Sequence, residues 1–345
     1  MSTFSRSTFN AAKYSASRPH YPPQLYTHVL DYATAVNNSS RDHKLSTLLD
    51  LGCGPGLSTF EFSPYFVDRI YGIDPSQNMI EAAKSIQATR RQGDREKFRF
   101  QVGNVESLTE EIQGIEENSI DLVVAGQAAH WFDPLKTYSS ISKILKPGGS
   151  FVFWGYGEIF FPQRPELSRL IPPFSRELLG PYWQQPGRSI VENLLKPFPL
   201  PITKNFTFPP SSSDADLVES ICSQFDQSSL QRSFYLQNPS SSTLLLDDLV
   251  PRAEKEPVDT TIKTTLHPLL LTKKWDLKNF ENYLNTWSSL HKYREEHQGK
   301  GGESPRRIVD DLLVKMRDSG SWRDDGELVE VAWEVGMLMG KKKKK

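Results

Sequence analysis

The segment that most limits what this chain can become runs Thr47-Leu48-Leu49-Asp50-Leu51-Gly52-Cys53-Gly54-Pro55-Gly56. A short apolar run, followed by an acid and then by glycine at every second position, reads as a buried strand turning tightly into a helix. Glycine suits the turn because a backbone that bends sharply and lets a ligand lie against it has no room for a Cβ. The helix is predicted to begin near Leu57 and to end before Pro64. A second strand, Arg69 to Ile73, then runs into Asp74, 18 residues past Gly56. That is where a strand–loop–helix–strand unit places the acid that takes a ribose hydroxyl pair. Asp74 also has a plainer reading, as the cap of the helix that follows it.

Two ligand classes compete for such a loop. Nicotinamide and flavin dinucleotides favour G-x-G-x-x-G, with a pyrophosphate on the helix N-terminus. Here Gly52, Gly54 and Gly56 give D-x-G-x-G-x-G, led by Asp50. A leading acid suits a ligand that presents an ammonium group better than one that presents phosphates.

The elements that follow extend the pattern. Met79, Ile80, Ala83 and Ile86 share one helical face, in a helix running to about Thr89. Phe98 to Val102 alternates like a strand and leads into Gly103-Asn104-Val105-Glu106. Ser119 to Gly126 is a short apolar run that reads as a fourth strand, passing into Gln127-Ala128-Ala129-His130-Trp131-Phe132. Asp133 is placed to cap a helix with Pro134 in its first turn, and Lys146-Pro147-Gly148-Gly149 turns into a strand over Ser150 to Trp154.

The acid-led glycine loop resembles motif I of the class I S-adenosylmethionine-dependent methyltransferases. A-x-x-x-x-H-W-F at Ala125 to Phe132 and L-K-P-G-G at Leu145 to Gly149 are similar to segments of the same family, in the right order between Leu48 and Trp154. Y-x-x-x-R-P-x-Y-P, from Tyr14 to Pro22, and Y-L-x-T-W-S, from Tyr283 to Ser288, resemble the fungal trans-aconitate methyltransferase-like group. The resemblance implies an α/β fold of Rossmann-like class I type, with a seven-stranded, mostly parallel sheet, helices on both faces, and a helical and loop insertion capping the cleft. It implies S-adenosyl-L-methionine as cofactor, held by Asp50, Gly52, Cys53, Gly54, Gly56 and Asp74, with the adenine at Asn104 and Val105. The family commonly has an aspartate where Asn104 stands. Tyr14 and Arg18 are implied to face either the methionyl carboxylate or the acceptor.

The corresponding organisation is an N-terminal arm and helix over the cleft (1–36), a cofactor-binding core (45–156), substrate-cap helices and insertions (157–325), a closing strand (326–340) and a basic tail (341–345). Within the cap, Phe280 to His291 reads as one amphipathic helix and Pro305 to Arg317 as another. The Ser-, Asp- and Pro-rich stretches Ser211 to Asp214, Asn238 to Thr243 and Pro251 to Asp259 read as exposed insertions.

Composition narrows the partners. A net charge of −1 over 345 residues gives nothing for nucleic acid or an anionic surface to hold, and no apolar run reaches membrane length. Two cysteines, Cys53 and Cys222, offer neither a disulfide framework nor a metal-ligand spacing. A cytoplasmic protein acting on a small molecule is expected; the acid-free first 28 residues, with Arg6, Lys13 and Arg18, leave mitochondrial import as the alternative. Nothing in the sequence sets an oligomeric state.

For the chemistry, a carboxylate acceptor is ionised near pH 7 and needs no base, whereas a phenol, amine or acidic carbon gains from one. His130, on the carboxyl edge after the fourth strand, is the nearest candidate base; its other reading is a histidine satisfied by a local carbonyl. Gln127 stands beside it as a residue that positions the acceptor or the methionyl end, and Trp131 either packs under the cofactor or sits in the core. Trp154, Tyr156, Arg164, Arg176, Tyr182, Trp183 and Trp287 are candidates for a pocket wall. The activity expected is methyl transfer to a small-molecule carboxylate or natural-product oxygen. A non-catalytic cofactor-binding module and an NAD(P)-dependent oxidoreductase are the alternatives.

Overall fold

The computed structural model describes residues 15–34, 45–108, 112–206, 212–238, 262–298 and 307–344. Strand β1 (Leu45–Leu51) sits mid-sheet, and Leu48, Leu49 and Leu51 are wholly buried. A strand covered on both faces needs apolar residues at successive positions, which is why the run does not alternate. Strands β2 (Phe66–Asp74) and β3 (Phe98–Val102) lie to one side of it, and β4 (Ile120–Gly126) and β5 (Leu145–Phe160) to the other. These five pair in parallel. The chain thus reverses its direction of growth at β1, and the crevice beyond the carboxyl ends of β1 and β4 is where an open α/β sheet binds ligands.

Helices cover both faces. Helix α1 (Pro23–Thr34) and the short α2 (Leu57–Glu61) pack with Leu48, Leu122, Val124, Val152 and Trp154 in one core. Helix α3 (Gln77–Ala88) contributes Ile80 and Ala83 to that core and is capped by Ser76, whose side chain accepts from Met79 N. The opposite face of the sheet, with Leu49, Val123, Ala125, Phe151 and Phe153, packs against Tyr138, Ile141 and Ile144 of α4 (Pro134–Ile144). Asp133 caps α4 through Lys136 N, with Pro134 at the first helical position.

The described residues form nine strands rather than seven, and the difference lies in the region expected to be only a cap. Strands β6 (Gln231–Leu236), β7 (Lys263–Pro268) and β8 (Leu271–Trp275) join the same sheet. Long β9 (Val329–Lys341) pairs antiparallel with β5 on one side and with β6 and β8, at successive stretches, on the other. The described residues of 157–325 therefore extend the core sheet. Their remaining large helices are α5 (Gly187–Glu192), α6 (Ser212–Ser223), α7 (Leu277–Leu284), α8 (Ser288–His297) and α9 (Arg307–Asp318).

Three further expectations change. The single helix read over Phe280 to His291 is two, broken at Asn285-Thr286-Trp287 between α7 and α8. Ser212 to Asp214 open α6 instead of forming a loop, while residues 239–261, which hold most of the other two stretches read as insertions, lie outside the described residues. The lysine tail does not begin at Lys341. That residue ends β9, and its ammonium donates to the carbonyls of Tyr32 and Ala33 and to Ser150 Oγ. The last carbonyls of α1 lack intrahelical partners, and a cation there satisfies both the carbonyls and the helix dipole. Among the described residues no helix is long and apolar enough to cross a membrane.

Candidate active site

A cleft of about 340 Å3 opens at the carboxyl ends of β1, β2, β4 and β5. Its floor is the glycine loop, with Asp50, Gly52, Cys53 and Gly54 all on the wall. The three glycines have left-handed backbones, φ 66, 55 and 85° at Gly52, Gly54 and Gly56. They are not equivalent. A Cβ at Gly52 would meet Ala128 Cβ at 2.6 Å, and one at Gly56 would meet the Phe60 ring at 2.7 Å. A Cβ at Gly54 would meet nothing within 4 Å. Gly52 and Gly56 are required by packing, and Gly54 leaves space for a ligand to lie on the backbone.

Two carboxylates frame this floor. Asp50 is buried; its Oδ2 accepts from Thr59 Oγ1 at 2.6 Å, and its Oδ1 has no partner. Burial pushes its carboxyl up to about 7, against the pull of the Thr59 bond, and the nearby Asp74 charge adds to the rise. A buried oxygen left unsatisfied is costly, so this atom is built for a donor or cation arriving from the cleft. Asp74 accepts from Gly54 N through Oδ2 at 3.0 Å and from Ser76 N through Oδ1 at 2.8 Å. It ties the two loops together and is not the helix cap, which is Ser76. Burial raises its pKa as well, opposed by both of these bonds. Each oxygen keeps acceptor capacity for a ligand hydroxyl.

The roof comes from the N-terminal segment, where Arg18, Pro19, His20 and Tyr21 line the cleft together with Tyr26 of α1. Arg18 donates from Nη1 to Tyr156 OH at 2.9 Å and from Nη2 to the Thr286 carbonyl at 3.2 Å, over the Tyr283 ring. The helix break at Asn285-Thr286-Trp287 is what exposes that carbonyl to it. Tyr14 lies outside the described residues.

A second, smaller cavity of about 90 Å3 adjoins the cleft, and Arg18, Gln127, Trp131, Tyr156 and Gln184 line both. His130 faces this second space and not the cleft. It is buried, Nδ1 has no partner, and the Trp131 ring lies against it at 4.7 Å. Burial, followed by the positive charges of Arg18 and Arg188, pushes the imidazole down to about 3. At neutral pH it is an uncharged and weak base, so the expected base role does not fit its surroundings. The alternative of a carbonyl satisfying the ring is not met at Nδ1 either. Gln127, held at φ 57°, accepts from Tyr156 N at 2.7 Å and donates to Tyr156 O at 3.2 Å. Its amide thereby carries the β4–β5 ladder one step past Gly126, so its role is to fix the shared wall.

Behind the second cavity lies a compact group of charges. Arg188 pairs with Glu158 and with Glu192, each at 2.6 Å, and Arg176 reaches the same two acids at 3.3 and 3.5 Å. Arg188 also lies over the Trp183 ring at 4.4 Å. Two cations and two anions balance, which is what lets all four sit away from water. Of the pocket-wall candidates, Tyr156, Trp183 and Trp287 line this cavity. Trp154 is fully buried core, Arg164 pairs with Glu327, Arg176 belongs to the charge group, and Tyr182 packs on Tyr293.

Asn104 and Val105 are not part of the cleft wall. Asn104 is exposed and caps a 3-10 turn by accepting from Glu106 N, while Val105 is buried in the second core. Conversely, Ser58, Met79 and Gln184 line the cleft, although the sequence marks Met79 only as part of an apolar helix face and gives the other two no role. Gln184 lies in a proline-flanked stretch with no periodicity, so no local signal marks it.

This reversed parallel sheet, with an acid-led glycine loop under its crevice, defines a Rossmann-like methyltransferase core. Residues 49–153 match the methyltransferase-domain family. Over this region the chain is similar to the class I S-adenosylmethionine-dependent methyltransferases. It is 31% identical over 187 residues to a probable S-adenosylmethionine-dependent methyltransferase of Saccharomyces cerevisiae, covering 54% of this chain and 59% of that one. The match thus spans little more than half the length of the yeast relative. A Dictyostelium discoideum protein named as a methyltransferase is 27% identical over 209 residues, 59% of this chain and 71% of its own. In fold, the chain is similar to a solved Anaeromyxobacter dehalogenans protein described as a type II methyltransferase. That comparison has a TM-score of 0.58 at 20% identity and covers 95% of this chain and 99% of the other.

Proposed function

We propose that the protein transfers a methyl group from S-adenosylmethionine to a small-molecule carboxylate, giving a methyl ester. The observation that carries the carboxylate is that the cavity beside the cleft holds no usable base among the described residues. His130 is pushed down to about 3, and Glu158 is in ion pairs with Arg176 and Arg188. A base works best when its pKa lies near the working pH. A phenol or amine, with a pKa of about 10, would need one. A carboxylic acid is ionised above about pH 4 and does not.

The cleft suits the cofactor in two respects. Asp50 Oδ1, buried and without a partner, would accept from its ammonium, and Asp74 would take its ribose hydroxyls beside the open backbone at Gly54. Bound there, S-adenosylmethionine supplies an electrophilic methyl: the acceptor oxygen's electron pair forms the O–CH3 bond as the C–S bond breaks, and that pair returns to sulfur, leaving a neutral thioether. The rest is positional. Arg18 faces both spaces and attracts the acceptor's charge, the clamped Gln127 amide keeps the shared wall in place, and Trp131 and Phe132 help exclude water. A cytoplasmic setting accords with Cys53 and Cys222, both free thiols.

The test is incubation with methyl-labelled S-adenosylmethionine and a panel of carboxylic acids, phenols and amines. The expected product is label released as methanol by mild alkali, the signature of an ester. Alkali-stable label, confined to phenols or amines, would contradict the carboxylate.

A further inference from the structure

We infer that the acceptor is a monocarboxylate with a flat apolar body, aryl or short hydrocarbon, and that the second cavity selects against acids carrying a second or third carboxylate. The inference rests on the methyl-transfer reading above and specifies its acceptor. Its basis is the wall of the smaller cavity. Trp183, Trp287, Tyr283, Ile159 and Val191 give it an aromatic and aliphatic lining, with both tryptophan rings on the cavity and 5.4 Å apart. Such a wall rewards an apolar body and gives nothing to a hydrated carboxylate.

The charges point the same way. Arg188 lines the cavity, but its charge is already met by Glu158 and Glu192. Glu158 lines it too, with only 8% of its side chain exposed and its charge met by Arg176 and Arg188, so the balanced group has no cation left over for an additional carboxylate. The guanidinium of Arg18 lines both cavity and cleft, over the Tyr283 ring, and is positioned to orient one carboxylate toward the methyl donor. Arg18 thus offers the space one contact for an anion, and the aromatic and aliphatic lining suits an apolar body. The transfer is the one written above: one acceptor oxygen gains the methyl, the donor's sulfur regains the C–S pair, and the second carboxylate oxygen becomes the ester carbonyl.

The test uses phenylacetate and hexanoate against tricarballylate, at equal concentration, with two readouts. One is methyl-ester formation from S-adenosylmethionine. The other, independent of turnover, is quenching of tryptophan fluorescence by each acid with S-adenosylhomocysteine bound, since Trp183 and Trp287 face the cavity. Phenylacetate or hexanoate should exceed tricarballylate in kcat/KM and in apparent affinity by about tenfold or more. Trp287→Leu should reduce the affinity for phenylacetate and leave that for S-adenosylhomocysteine unchanged. Preference for tricarballylate in both readouts overturns the inference while leaving carboxylate methylation standing. Should no acid be methylated, the underlying reading fails, and the order of fluorescence affinities still decides the shape of ligand that the cavity takes.

Discussion

The two spaces that meet at Arg18 are made of different materials. The larger cleft is largely a property of backbone: a left-handed glycine loop, a strand end and two carboxylates bound to main-chain or hydroxyl donors within the same unit. The smaller cavity is a property of side chains drawn from β5, the segment around Trp183, α5 and the break between α7 and α8. A backbone site imposes spacing on the sequence, because glycine and acid must fall at set offsets. A side-chain site imposes none, since any segment that reaches the spot can furnish an aromatic or a charge. The comparison predicts that the two respond differently to perturbation.

The largest effect is expected in the cleft. Gly54→Val places a β-branched side chain at φ 55°, in the space left for the ligand. S-adenosylhomocysteine binding, followed by calorimetry, should weaken on the order of 100-fold, equivalent to about 2.7 kcal/mol. Acid quenching of tryptophan fluorescence, read without cofactor, should survive. Equal damage to both would mean that the spaces are not separable.

A pH titration sharpens the contrast next. Asp50 is held up at about 7 by burial, so below that pH its carboxyl is protonated and meets an ammonium poorly. S-adenosylhomocysteine affinity should therefore rise as pH increases through 7, by about tenfold per unit on the acid side at most, and level off above. Asp50→Asn should remove the rise. A wild-type affinity flat from pH 5.5 to 7.5 would deny Asp50 the ammonium.

The smallest effect concerns His130. Its imidazole is pushed down to about 3, so no inflection from it belongs between pH 5 and 8. His130→Gln should keep kcat on a carboxylate within about threefold, below the 100-fold or more that loss of a general base brings. A larger fall, with the pH–rate profile changing shape, would restore His130 as a base.

The same division explains what the sequence made legible. β1, β3, β4 and the cap Asp133 were readable because each satisfies a local rule of period, turn or cap, whereas the cap of α3 was read at Asp74 and lies at Ser76. β6 and β8 were not. Gln231–Leu236 and Leu271–Trp275 mix polar and apolar residues and became strands because β9 offered an edge to pair with. The break at Thr286 was hidden inside a convincing amphipathic pattern, and its purpose lies in a distant residue, Arg18. His130 was visible as a residue, but not its environment: Arg188, which helps keep it neutral, arrives on α5 with no sequence signal linking the two. Gln127 was picked out as a hand for the acceptor, yet the β5 backbone uses its amide.

The central claim is that a sulfonium donor rests on the glycine loop with its ammonium on Asp50 and its ribose on Asp74. A crystal structure with S-adenosylhomocysteine bound tests it most directly. The account predicts the ligand's amino nitrogen within hydrogen-bond distance of Asp50 Oδ1, and its ribose hydroxyls on Asp74 above Gly54. A ligand seated elsewhere, with Asp50 Oδ1 still lacking a partner, would contradict it.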